Sequence, residues 1–276
     1  MPQSTRTSPR RQAHPFRGGI SGFACVALIC ATAACDREEG RVRPTKTTPT
    51  EFAEVPDTGA GAGGTSTGTP PGKGVVKGKL LYTGPKPALK QLGGSSCHPK
   101  APTVPEDWLL VNDKNELANV VVYLKEPPAV DMPPPPAPVV DQKDCVYIPH
   151  VVAVQTGQTV RITSSDPTQH NFHTQSRNNG EQNLAMGANG SSQIRFNAAE
   201  LPVRVKCDVH PWMSGYVAVF EHPFFAVTKG DGAFEIKGLP PGEYTVVCWH
   251  EKLKGKEQKF TVAEDKPAEL SITLTQ

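Results

Sequence analysis

Two short stretches hold the side chains with the most chemistry. One is Val203-Arg204-Val205-Lys206-Cys207-Asp208-Val209-His210-Pro211-Trp212-Met213, where a thiol, an imidazole and a thioether follow one another at three-residue intervals. The other, about forty residues upstream, is Ser165-Asp166-Pro167-Thr168-Gln169-His170-Asn171-Phe172-His173. Thiolate and thioether sulfur suit soft ions, and imidazole suits first-row metals in general. Two ordinary fates stand beside that reading. A cysteine in an exported chain can be in a disulfide, and a buried methionine can simply fill space. His170 and His173 lie three residues apart, which in a strand reverses the side-chain direction, so one of them at most faces a given site. Met186 reads as a packing residue. His150, His222 and His250 stand alone in the sequence and read as surface or hydrogen-bonded histidines.

The upstream landmarks complete a pattern. Tyr147-Ile148-Pro149 precedes Val152-Ala153-Val154-Gln155-Thr156-Gly157-Gln158-Thr159-Val160-Arg161-Ile162, a strand, a glycine turn and a second strand, and a Gly-x-Val strand follows Met213. Residues 138–222 therefore resemble a cupredoxin, an amicyanin/plastocyanin-like type 1 (blue) copper domain with a Greek-key β-sandwich. The resemblance implies one copper held by His170, Cys207, His210 and Met213, with one thiolate and two imidazoles in a plane and a weak axial thioether. It favours His170 over His173 because Asn171 follows it, and it gives Asn171 the task of fixing the ligand loop by hydrogen bonds. It also implies that His210 is the ligand nearest the surface. Pro211 and Trp212 then offer an apolar docking face to a redox partner protein, with loop packing as the alternative for Trp212.

That resemblance implies an electron carrier, not an enzyme, and no catalytic residue is expected. The eight histidines contain no His-x-His pair of the kind multicopper oxidases need, and Cys207 is alone in its loop, whereas a binuclear centre needs two cysteines there. There is no Cys-x-x-Cys-His haem site. Two other functions stay open. One is an envelope binding or adhesion module with a structural cupredoxin; the other is copper storage or delivery.

The elements that position these residues read as β throughout. With 25 glycines and 28 prolines in 276 residues, the chain favours turns and short strands. No stretch carries a sustained apolar stripe at helical spacing. Residues 75–82 alternate, and 119–124 form a β-branched run before the proline-rich residues 127–138. Near the end, Asp231-Gly232 predicts a hairpin turn and Pro240-Pro241-Gly242 a reversal, with Tyr244 opening a strand. Residues 74–137 and 223–276 resemble the two parts of a carboxypeptidase regulatory-like (transthyretin-like) β-sandwich. The cupredoxin is then inserted into that sandwich or lies adjacent to it as a separate domain.

The first 35 residues read as an address. Arg6, Arg10, Arg11 and Arg17 precede an apolar stretch, 20–34, that ends in Thr32-Ala33-Ala34-Cys35. This resembles a bacterial lipoprotein signal with Cys35 as the lipid attachment site; plain secretion with cleavage near Ala34 is the other reading. Residues 36–73, rich in Thr, Gly, Pro and Ser, read as a flexible linker. Removing the four arginines turns the balance from two charges positive to two negative, so nothing points to nucleic acid. The expected product is a periplasmic, membrane-tethered monomer. Its seven cysteines divide accordingly. Cys25 and Cys30 leave with the signal, Cys35 carries lipid and Cys207 binds copper. Cys97 is expected to pair with Cys145 across the two modules, which leaves Cys248 as a buried thiol.

Overall fold

The computed structural model describes residues 69–92, 103–105, 108–264 and 266–276. The expected signal, its Cys35, most of the linker and Cys97 lie outside the described residues. Among the described residues there are strands and no α-helix, so the chain is all-β.

One sandwich uses both ends of the described chain. Its first sheet joins β1 (Gly74–Tyr82) to β15 (Ala233–Leu239) on one side and to β18 (Ala268–Leu274) on the other. Its second sheet runs in the order β14 (Phe225–Val227), β4 (Val121–Leu124), β16 (Gly242–Trp249), β17 (Lys256–Val262). Alternation drives the packing: in β1, Val76, Leu80 and Tyr82 turn inward while Lys77 points to solvent. Ile236, Ile272, Leu124 and Val246 close the same core from both sheets. Each large apolar side chain buried this way contributes about 1.5–3 kcal/mol. β2 (Leu89–Gln91) and β3 (Thr103–Pro105) pair as a separate ribbon.

Between β4 and β14 the chain builds a second sandwich. A five-stranded sheet has the order β10 (Gln182–Met186), β9 (His170–Gln175), β12 (Glu200–Lys206), β13 (Ser214–Phe220), β7 (Val151–Gln155). A four-stranded sheet has the order β11 (Ser191–Arg195), β8 (Thr159–Ser164), β5 (Val139–Lys143), β6 (Val146–Ile148). Its core holds Phe172, Val203, Ile162, Ile194 and Met186, so Met186 is a packing residue as expected.

The strand pairings differ from expectation at one turn. Asp231-Gly232 predicts a hairpin, but β14 pairs with β4 while β15 pairs with β1, so this turn carries the chain from one sheet to the other. A left-handed Gly232 (φ 66°) is required there, because a Cβ would stand 2.6 Å from the Leu80 carbonyl oxygen. The Pro240-Pro241-Gly242 reversal also changes sheets, and the Tyr244 hydroxyl donates to the Pro240 carbonyl at 2.9 Å.

An apolar seam joins the sandwiches. Val121 and Phe225 of the first meet Val151, Ala218 and Phe220 of the second. Phe220 lies 4.8 Å from Tyr123 and 5.2 Å from Phe225 between ring centroids. His150 and His250 belong to the buried interior and not to the surface. The His150 ring stacks on Trp108 at 4.2 Å, and its Nε2 meets Glu251 Oε1 at 2.6 Å.

Candidate metal centre

β12 and β13 are antiparallel neighbours, and the seven residues 207–213 connect them. The loop is tied at both ends: Cys207 N–H donates to the Met213 carbonyl at 3.0 Å and Met213 N–H to the His210 carbonyl at 2.9 Å. This tight return buries Cys207, His210 and Met213 together. β9 pairs with β12 through Lys206 and His173, which sets the start of β9, and so His170, beside the loop.

The two imidazoles converge. His170 Nδ1 and His210 Nδ1 face each other at 3.0 Å, and Cys207 Sγ lies 3.8 Å from His210 Nδ1. Ring nitrogens bind ions such as zinc at about 2.0–2.1 Å, so two nitrogens at this separation can share one ion. The donor set fits copper, combining sulfur with imidazole in a buried pocket. Burial pushes the Cys207 thiol up, but the His170 ring and the backbone N–H groups of Asn171, His210 and Val209 outweigh it and hold the thiol below its ordinary range.

Asp166 organises the pocket. Its Oδ2 lies 2.8 Å from His170 Nε2. That contact places the ring proton on Nε2 and, in the neutral ring, leaves the Nδ1 lone pair facing His210. The same carboxylate accepts from Asp144 N–H at 2.8 Å and Cys145 N–H at 2.9 Å. A carboxylate behind a ligating histidine fixes its orientation and raises its basicity. The position of Asp166 in a Ser-Asp-Pro turn four residues before His170 was its only sequence signal.

Asn171 grips the ligand loop from the side. Its Oδ1 accepts from Asp208 N–H at 2.7 Å, and its Nδ2 donates to Asp208 Oδ2 at 2.8 Å and Asn183 Oδ1 at 2.7 Å. His173 points away from the pocket and engages Asp208 Oδ2 at 2.8 Å and Glu181. Lys206, then His173, hold the Asp208 carboxyl far below the usual range. His210 is only 2% exposed, level with Cys207, while His170 and Met213 are fully buried. Val209, at 52% exposure, and Pro211 form the outer face, with Trp212 half-buried and its ring 5.3 Å from His210.

Cys145 also borders the pocket. It lies in the β5–β6 turn, fully buried, with a ligand atom within 4.8 Å of a ring nitrogen of both His170 and His210. Its expected partner Cys97 lies outside the described residues. Cys248 sits buried in the middle of the first sandwich, where burial pushes its thiol up to about 12.

No family model and no curated protein matches this sequence. Solved structures do. An amicyanin mutant in the Cu(I) state is 28% identical, over 30% of this chain and 81% of that one, with a TM-score of 0.28. An oxidised amicyanin mutant is 29% identical over the same shares, also at 0.28. A Cu-containing nitrite reductase from Thermus scotoductus SA-01 is 19% identical, over 36% of this chain and 25% of that one, at 0.30.

Proposed function

We infer that this chain is a single-electron carrier with one type 1 copper held by Cys207, His170, His210 and Met213. The observation that carries the reading is the 3.0 Å approach of the two Nδ1 atoms beside the Cys207 sulfur. Copper, when bound, supplies a one-electron couple. The protein's part is to hold the donors still. The Asp166 carboxylate orients His170, and the Asn171 side chain pins the backbone directly after Cys207. Buried donors set in advance by such bonds keep water out and limit rearrangement between oxidation states. Val209, Pro211 and Trp212 cover His210 with an apolar cap suited to brief docking of a redox protein.

The export features of the first 35 residues complete the reading. We place the mature protein in the periplasm, tethered through lipid on Cys35, with residues 36–73 as the spacer. It acts as a carrier and not as a catalyst. Titration of the purified full chain with Cu(II) tests the centre. An intense visible thiolate-to-copper band is expected, and Cys207→Ser should abolish it; a wild-type chain without that band refutes the reading. Mass spectrometry of the mature N-terminus tests the tether.

A further inference from the structure

The type 1 reading uses one thiol, but the pocket holds two. Cys145 comes from a different part of the chain than the ligand loop, yet its ligand atom and one ring nitrogen each of His170 and His210 all lie within 4.8 Å of one another. All three residues are buried. The turn that carries Cys145 is anchored to the pocket and does not merely pass it. Asp144 and Cys145 N–H both donate to the Asp166 carboxylate, whose Oδ2 also meets His170 Nε2. One buried carboxylate thus locks the Cys145 backbone to a ligating ring. The turn itself is unusual for the residues in it. Asp144 and Cys145 have φ of 53° and 55°, the left-handed pair of a two-residue hairpin in which glycine is the low-cost second residue. A cysteine there accepts backbone strain and delivers a sulfur to the imidazoles.

Resting on the copper reading above, we propose that Cys145 is a second thiol donor to the same ion, and that the pocket thereby retains Cu(I). On binding, the Cys145 S–H proton leaves to solvent and a sulfur lone pair forms the Cu–S bond; the oxidation state of the ion does not change. Two thiolates and two imidazoles favour the cuprous state by softness. The chain then holds its copper against loss while it is reduced.

The test uses the full chain loaded with Cu(I), as wild type, Cys145→Ser and Cys207→Ser, with folding checked by circular dichroism. X-ray absorption counts short sulfur neighbours of copper: two are expected in wild type and one in each variant. Competition with a cuprous chelator should show Cys145→Ser losing copper at least about tenfold more readily, since even loss of a partner behind a ligand costs about 10–100-fold. A single short sulfur in wild type, unchanged retention in Cys145→Ser, or a Cys97–Cys145 disulfide in the copper-loaded protein overturns the proposal. The visible band with Cu(II) separates the two failures. It should survive in Cys145→Ser, and its absence from wild type sinks the type 1 reading whatever the sulfur count.

Discussion

Among the described residues two pairs of histidines are buried, and they behave differently. His170 and His210 turn their Nδ1 atoms toward each other at 3.0 Å, with sulfur alongside. His150 and His250, near the seam between the sandwiches, are also buried but join no candidate ligand cluster among the described residues. His150 spends its Nε2 on Glu251 and its face on Trp108, while His250 accepts from Lys252 N–H at 3.2 Å. His150 Nδ1 and His250 Nε2 find no hydrogen-bond partner among the described residues. Burial alone therefore does not make a metal site. Ring nitrogens turned toward other donors are what such a site also needs, and a carboxylate behind the His170 ring does the turning. Asp166 and Glu251 each hold a buried imidazole by Nε2, but only Asp166 leaves the opposite nitrogen facing other donors.

The largest effect should come from Asp166→Ala. It strips the partner from His170 and from two backbone N–H groups, each costing about 1–3 kcal/mol when left buried and unmet. Thermal or denaturant melting should show a loss of several kcal/mol, with copper affinity down about 10–100-fold. Glu251→Ala should instead lower stability and leave the copper spectrum in place. A spectral change in that variant would mean that the seam and the pocket are coupled.

Next comes pH. Burial pushes His250 down to about 4 from the ordinary 6.5. The unfolded chain then binds the extra proton first, so this stability is full above pH 6.5 and is lost as pH falls toward 4. At most it amounts to roughly 3 kcal/mol. His250→Gln should flatten the stability curve between pH 6.5 and 4 relative to wild type; equal slopes would show that the ring is not held neutral by burial. The smallest effect is expected from Asn171→Ala. Its side chain meets Asp208 and Asn183, and its loss should cost about 1–2 kcal/mol and broaden or shift the visible band without abolishing it.

Legibility followed distance along the chain. The 207–213 loop could be read because its donors are joined by a few bonds and the loop must return between neighbouring strands. That Asn171 braces the loop was implied by the cupredoxin resemblance of the His170-Asn171 pair, not by its spacing alone. Cys145 could not be read, for its approach to the rings depends on how the β5–β6 turn packs over the start of β9. Nor could the sheet-changing role of Asp231-Gly232, since a turn motif is the same whether its strands then pair or part.

What the residues determined by themselves was local: all-β character from alternation and turn residues, and a thiol, an imidazole and a thioether confined to one short loop. What tertiary structure decided was which distant groups join them. Asp166 binds a turn more than twenty residues earlier and a ring four residues later in one carboxylate, and His150 meets Glu251 across 101 residues. Chain connectivity limits where near neighbours can lie. For distant groups only strand register and sheet packing set the meeting point, and neither is written in any local spacing.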